Sequence, residues 1–150
     1  MGDQTARRRW MGILARIPGA ELEAALDRLN NRPRYDLLRG PEIGLAMVRG
    51  RAGGDGQRFN LGEMTLTRCS LRLAEGGIVG HGYVTGRDRH RAELAAFCDA
   101  LMQAPDFHDR LETALIAPAE RAQREAKARV EADVATSKVD FFTMVRGDSA

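Results

Sequence analysis

Arginines and a glycine come together in residues 86–93, where the chain is expected to pass from a strand into a helix. Arg87 and Arg89 flank Asp88, whose short carboxylate is typical of the residue that caps the first turn of a helix. Free N–H groups at a helix N-terminus and nearby guanidinium groups are donors that bind phosphate in proteins. We therefore take Arg87 and Arg89 as candidate anion-binding residues. The alternative interpretation is a capped helix with solvated arginines.

A second glycine-rich stretch covers residues 50–56. Such stretches can direct backbone N–H groups at a phosphate, but this one lacks the Lys-Ser/Thr ending of a P-loop and is not followed directly by a helix. A flexible connection between two strands is the favoured interpretation. We predict a loop over residues 49–62.

Two more arginines lie within a predicted strand over residues 64–73. Side chains two positions apart share a face of a strand, so Arg68 and Arg72 would lie on one side of the sheet, about 13 Å apart at ~3.3 Å per residue. His81 and Tyr83 share a face of the next strand. These four side chains would form an anion-binding surface together with Arg87, whereas solvated arginines at a sheet edge are the alternative.

Catalytic and metal-binding patterns are missing from the sequence. Cys69 and Cys98 are not in a CxxC arrangement, and the three histidines do not cluster with them, which argues against a zinc site and a disulfide framework. No Ser-His-Asp arrangement or pair of carboxylates can be assembled from the spacing. We predict no catalytic residue, no metal site and no cofactor bound by this chain alone, and a reducing, cytoplasmic compartment.

Hydrophobic periodicity predicts the elements that position these residues. Helical spacing occurs over residues 10–17, 22–29 and 94–102, and a further helix from residue 107 is expected to be interrupted at Pro118. Strand patterns occupy residues 35–39, 43–48, 64–73 and 78–85, with a turn at residues 74–77. The sequence predicts an α+β fold: an N-terminal helical hairpin, an antiparallel β-sheet, a packed helix, and a long polar helix with a C-terminal docking tail. Residues 1–118 form the body, and residues 119–150 form the polar helix and apolar arm of the same domain.

Composition and charge narrow the function classes. The chain has 150 residues, of which 43% are hydrophobic and 29% charged, and these are the proportions of a globular domain. Its apolar stretches are too short to cross a membrane. The net charge of +2 is too small to indicate a nucleic-acid-binding surface by itself, and the acidic start of the second helix argues against a helix-turn-helix.

The C-terminal arm is the largest unexplained apolar feature. Residues 139–145 follow a helix that is polar on all sides. Burial of the large side chains of this arm would contribute about 1.5 to 3 kcal/mol each, so we expect them to dock on a partner or on a swapped copy of the chain. The alternative is that the arm packs on its own sheet. The candidate docking residues are Trp10, Phe141, Phe142, Met144 and Val145.

Several stretches resemble the PhnG family of the bacterial carbon-phosphorus lyase system over nearly the whole chain. They are Arg9-Trp10-Met11 with Leu14-Ala15, residues 60–68 (NLGEMTLTR), Gly86-Arg87-Asp88 with Ala92-Glu93, Leu115-Ile116-Ala117-Pro118, and residues 139–148 (VDFFTMVRGD). The last of these is the most specific. One position departs from the family pattern, because Arg91 stands where the family has a histidine before the Ala-Glu pair.

The resemblance implies a small, non-catalytic or co-catalytic subunit of a cytoplasmic assembly with PhnH, PhnI and PhnJ, with which the ATP-binding proteins PhnK and PhnL associate. With PhnH, PhnI and PhnL, such a subunit is required to replace the adenine of MgATP by a phosphonate, which gives a ribose 1-alkylphosphonate 5-triphosphate. MgATP is then a substrate of the assembly. The resemblance implies that PhnI is the nucleosidase-like catalyst and that PhnJ later cleaves the carbon-phosphorus bond. We also expect a second copy of this chain in the assembly, and no membrane or nucleic acid. The alternative function is a standalone module that binds a small anion or RNA.

Overall fold

A computed structural model describes residues 4–51 and 56–137 and confirms the α+β class. The elements are α1 (Gln4–Leu14), α2 (Gly19–Asp27), β1 (Tyr35–Arg51), β2 (Arg58–Leu73), β3 (Val79–Thr85), α3 (Arg89–Met102), α4 (Pro105–Leu111), a π-helical turn (Glu112–Ile116) and α5 (Ala117–Thr136). The three strands form an antiparallel sheet in the order β1-β2-β3. No helix in the described ranges has the length and apolar character needed to span a membrane.

The N-terminal helical hairpin is confirmed. α1 and α2 are separated by a short turn that includes Pro18, and the apolar side chains at helical spacing on both helices are buried. They pack against α3, which covers one face of the sheet. The core therefore lies between this helical layer and the inner face of β2 and β3.

Close packing of α3 on β3 depends on two glycines. A Cβ atom at Gly80 would overlap the carbonyl oxygen of Ala96, and one at Gly82 would overlap that of Ala92. The backbones of the helix and the strand therefore approach more closely than side chains would allow. This close approach fixes the position of α3. The helix begins after Asp88, as predicted, and the carboxylate of Asp88 accepts a hydrogen bond from the backbone N–H of Arg91 at 2.9 Å.

The predicted strand boundaries in the first hairpin are wrong. β1 is one strand of 17 residues where two short strands were predicted, and irregular register on either side of Arg39 accommodates Gly40 and Pro41. Proline is tolerated there because β1 is an edge strand, where a missing N–H need not break a ladder bond. The predicted loop over residues 49–62 is also wrong, since residues 49–51 and 58–62 belong to β1 and β2.

The longer strands create a two-stranded extension beyond the end of β3. β3 pairs only with residues 66–72 of β2, whereas β1 and β2 remain paired as far as Arg51 and Arg58. We call residues 43–51 and 58–65 the hairpin arm. Apart from Ile43 and Gly44, whose partners on β2 also pair with β3, it lies beyond the part of the sheet that β3 extends.

The C-terminal helical region differs from its prediction at one point. Helical structure continues through the π-helical turn, and Pro118 lies in the first turn of α5, where its missing N–H is tolerated. No residue of α5 is buried, in agreement with its polar sequence. The predicted docking residues Phe141, Phe142, Met144 and Val145 lie outside the described residues.

Candidate functional site

Arg68 and Arg72 lie on the face of the sheet that α3 does not cover. Both are exposed, while Thr67, Cys69 and Leu71 between or beside them are buried. The alternation predicted from the sequence therefore places the two guanidinium groups on one open face. This face is the first candidate anion-binding surface.

The two arginines of this open face differ in their ion pairs. Arg68 contacts the carboxylate of Glu42 on β1 at 3.1 Å, and Arg39 contacts the same carboxylate at 3.5 Å. Arg72 has no ion pair within residues 4–51 and 56–137, although Asp36 is its register partner on β1. Arg72 is therefore the more available cation for an incoming anion.

Ser70 and His81 form a side-chain hydrogen bond between the two arginines. Ser70 Oγ and His81 Nδ1 are 2.8 Å apart on paired positions of β2 and β3, and Tyr83 lies opposite Arg68. In the described part of the chain, no carboxylate contacts the imidazole, so the third member that orients a catalytic histidine is missing there. The arrangement can bind a ligand through polar contacts.

The four basic residues at the start of α3 fall into two groups. Arg91 donates from Nε to the carbonyl oxygen of Ile17 at 2.8 Å and from Nη2 to that of Ala15 at 2.7 Å, so it joins α3 to the turn between α1 and α2. His90 lies 3.6 Å from Glu23. Arg87 and Arg89 are exposed and have no ion pair among the described residues. These two arginines remain available to an anion.

The four candidate arginines are not brought into one cluster. Arg89 belongs to α3, which covers the inner face of the sheet, whereas Arg68 and Arg72 lie on the opposite face. Gly86 is held beside Thr65 by a hydrogen bond of 2.9 Å, which places Arg87 next to the base of the hairpin arm. The structure therefore has two basic surfaces, separated by the sheet.

Trp10, a predicted docking residue, belongs to the core of its own chain. Its side chain is buried, its Nε1 donates to Asp99 Oδ1 at 2.9 Å, and its ring meets the ring of His108 edge-on with centroids 5.8 Å apart. These contacts leave almost none of the indole exposed. Trp10 is therefore a residue that fixes α1, with little surface for a partner.

The carboxylate of Asp99 is a structural centre that sequence reasoning missed. It is fully buried and accepts hydrogen bonds from Arg7 at 3.2 and 2.6 Å, from Trp10, and from the backbone N–H of His81 at 2.9 Å. Buried carboxylates are stable only with such compensation. The sequence contains a signal for this buried carboxylate, because Asp99 stands within the apolar stripe of α3. Its partners are also spaced to share a helix face, since Arg7 precedes Trp10 by about one helical turn.

A cleft of about 810 Å³ lies beside this centre. It is lined by both apolar and polar side chains from α1, α3 and α4, including Arg7, Trp10, Gln103, His108 and Asp109. Much of the polar lining is already used, because Arg7 and Gln103 bond to Asp99 and to the carbonyl oxygen of Val79, and His108 Nδ1 lies 2.7 Å from the carbonyl oxygen of Met102. The polar side chains that line the cleft thus hold the helices together, and few of their hydrogen-bond donors are free.

The thiols of Cys69 and Cys98 and the hydroxyl of Tyr35 are poor nucleophiles near neutral pH, because their pKa values are raised. Burial raises the pKa of Cys69 to about 11 and that of Cys98 to about 12, so both remain thiols near neutral pH. Burial and the hydrogen bond to Glu93, 2.6 Å long, raise the pKa of Tyr35 to about 12. Within the described ranges no group of three or more potential metal ligands comes together.

Comparison with known proteins agrees with the family motifs in the sequence. Residues 5–147 match the family model "Phosphonate metabolism protein PhnG". A relative from Rhizobium meliloti (strain 1021), the alpha-D-ribose 1-methylphosphonate 5-triphosphate synthase subunit PhnG, is 46% identical over 142 residues, which cover 95% of this chain and 90% of the relative. On this evidence the chain belongs to the PhnG family of phosphonate metabolism proteins.

Proposed function

We propose that this chain is an accessory subunit of a cytoplasmic carbon-phosphorus lyase core complex. In this proposal it acts with PhnH, PhnI and PhnL to transfer the ribose triphosphate part of ATP to a phosphonate, with loss of adenine. PhnJ-type and PhnK-type subunits associate with the same complex, and the subunit is non-catalytic or co-catalytic. The observation that carries the proposal is the 46% identity to a synthase subunit over 95% of the chain.

Two properties of the site support an accessory role. Among the described residues, the hydroxyl of Ser70 and the imidazole of His81 form a pair that no carboxylate orients. Burial raises the pKa values of the Cys69 and Cys98 thiols. Exposed cations remain on two surfaces, and MgATP and its product carry a triphosphate. We propose that Arg87 and Arg89 help to neutralise that charge. Arg72 and Arg68 lie on the other surface and would contact a separate anion, with Arg68 in a smaller part because Glu42 already pairs with it.

The proposed function is tested by following adenine release from MgATP and methylphosphonate. We expect adenine release when PhnH-, PhnI- and PhnL-type subunits are mixed with this chain, and none when this chain is left out. Equal release without this chain, or release by this chain alone, would contradict the proposal.

In the same assay Arg87→Ala should raise the KM for MgATP several-fold, with Arg28→Ala as a matched exposed control. Unchanged kinetics for Arg87→Ala would remove that residue from the site.

The docking role of the C-terminal residues stays part of the proposal. Removal of residues 139–150 should prevent co-purification with the PhnI-type subunit while the helices and sheet remain folded. Circular dichroism checks the fold of the shortened chain. Co-purification as strong as that of the full chain would show that the tail is not the docking segment.

A further inference from the structure

The hairpin arm exposes large apolar side chains on both of its faces. On the inner face the side chains of Ile43, Leu45 and Met47 follow one another, and their exposure is high beyond the region that α3 covers: Leu45 is 65% exposed. On the outer face Phe59 pairs with Gly50, and Leu61 lies over that glycine while it remains 62% exposed. Strands with apolar side chains on both faces are typical of sheets that are covered on both sides.

The arm has no covering layer over these exposed apolar side chains in the part of the chain that the structure describes. A two-stranded hairpin without a covering layer is marginally stable at best, and exposed apolar patches of this kind mark protein interfaces. Both long edges of the arm are also unpaired, because β1 is the edge strand of the sheet and β3 ends opposite Leu66. Edges of this kind accept a strand from another chain.

The charge of the arm indicates what covers it. Its tip carries Arg49, Arg51 and Arg58, none of which has an ion pair in the part of the chain that the structure describes. Its base lies beside Gly86 and the following Arg87, because the backbone N–H of Gly86 donates to the carbonyl oxygen of Thr65. The described residues of the arm hold three arginines and one acidic residue, Glu63, which is the register partner of Met47, so the arm carries an excess of positive charge that is concentrated at its tip.

This pattern argues against a second copy of the chain as the occupant. If two arms paired tip to tip, six arginines would meet, with only the two copies of Glu63 to offset them among the described residues of the arms, and if they paired tip to base, the tip arginines would approach Arg87. Like charges placed opposite each other across an interface are destabilising. The apolar faces argue equally against RNA, since nucleic-acid surfaces of proteins are polar and positively charged.

We propose that the hairpin arm inserts into an acidic, apolar groove of a different protein subunit, which covers both faces of the arm. The apolar side chains supply the affinity, and the arginines at the tip set the register against acidic groups of the partner. This inference rests on the proposed function, because that function supplies the subunits with which it is tested.

The test is co-production of this chain with the PhnH-, PhnI- and PhnJ-type subunits of the same source. The double variant Leu45→Asp/Met47→Asp should weaken assembly at least tenfold, measured by size-exclusion chromatography and by titration of the purified chain onto the remaining subunits. The matched control is Val130→Asp on α5, which changes an equally exposed apolar residue (61%) outside the arm and should assemble like the wild type. Circular dichroism and thermal melting establish that the body of each variant is folded.

A charge-reversal variant tests the second half of the proposal. Arg49→Glu/Arg51→Glu/Arg58→Glu should also weaken assembly at least tenfold, and its remaining binding should depend less on salt than that of the wild type. Wild-type assembly by both arm variants would overturn the proposal and leave the proposed function intact. The proposal would also be overturned if the isolated chain formed a dimer and the Leu45→Asp/Met47→Asp variant dissociated it. The same holds if the arginines of the arm were necessary for binding RNA but not for assembly. A wild-type chain that binds none of these subunits would overturn both the inference and the proposed function.

Discussion

At the scale of single residues, Asp99 is the position on which most of the polar interior depends. One carboxylate joins α1, β3 and α3, because it accepts hydrogen bonds from Arg7, Trp10 and the backbone of His81. No buried side-chain polar atom in the described ranges lacks a hydrogen-bond partner. Any change at Asp99 therefore leaves several buried donors without an acceptor.

We predict that Asp99→Asn lowers the free energy of unfolding by about 3 kcal/mol, since it removes the charge that compensates Arg7 and turns an acceptor into a donor. Urea denaturation followed by tryptophan fluorescence measures this directly, because Trp10 is the single tryptophan and contacts Asp99. The control is Asp36→Asn on the exposed face of β1, for which we expect a change within about 0.5 kcal/mol. Equal stability of the two variants would show that the buried network contributes little.

At the scale of elements, the contact between α3 and β3 decides where the helical layer lies. Gly80 and Gly82 are glycines inside a strand, a place where glycine weakens the strand unless another backbone needs the space. Here the carbonyl groups of Ala92 and Ala96 occupy that space. The alanines of α3 and the glycines of β3 thus act as one packing unit.

We predict that Gly82→Ala lowers the free energy of unfolding by about 3 kcal/mol, because the new methyl group would overlap backbone atoms that cannot move independently. Gly44→Ala is the matched control: it is also a strand glycine, and its Cβ would meet nothing within 4 Å. Thermal melting of the two variants should separate them clearly. A melting temperature of Gly82→Ala equal to that of Gly44→Ala would refute the close approach.

At the scale of the whole molecule, α5 is attached to the body near its start, where Ala119 packs against the core and a few polar side chains make contacts. Arg9 on α1 contacts Glu112 at 2.8 Å and Glu120 at 2.7 Å, and Gln123 donates to the carbonyl oxygen of Ile13 at 3.1 Å. The hydrogen bonds to these two glutamates raise the pKa of Arg9 above its ordinary value, and the hydrogen bond from Arg9 lowers the pKa of Glu120. The rest of α5 extends away from the core as a helix without buried residues.

This attachment should weaken in acid. A carboxylate whose pKa is lowered by folding stabilises the protein above its unfolded pKa, and this contribution is lost as the pH falls through the folded value. We predict that Glu120→Gln lowers the urea midpoint at neutral pH and that this effect shrinks as the pH falls through the lowered pKa of Glu120, because the wild-type carboxylate then takes up a proton. Glu125→Gln, which removes a partner of Arg129 within the same helix, should have a smaller effect at neutral pH. A Glu120→Gln effect that does not change with pH would contradict this account.

The sequence by itself determined the class of the fold, the helical hairpin, the cap at Asp88, the exposed face of Arg68 and Arg72, and the family. Each of these depends on local spacing or on short motifs, and local spacing carries through to the structure when one face of an element is buried. Only the tertiary structure decided the length of β1 and β2, because strand pairing across Gly40, Pro41 and Gly50 overrides the local preference of these residues for a break. Tertiary contacts also decided that Trp10 belongs to the core and that Asp99 joins three elements, since the partners that satisfy a buried carboxylate come from distant parts of the chain.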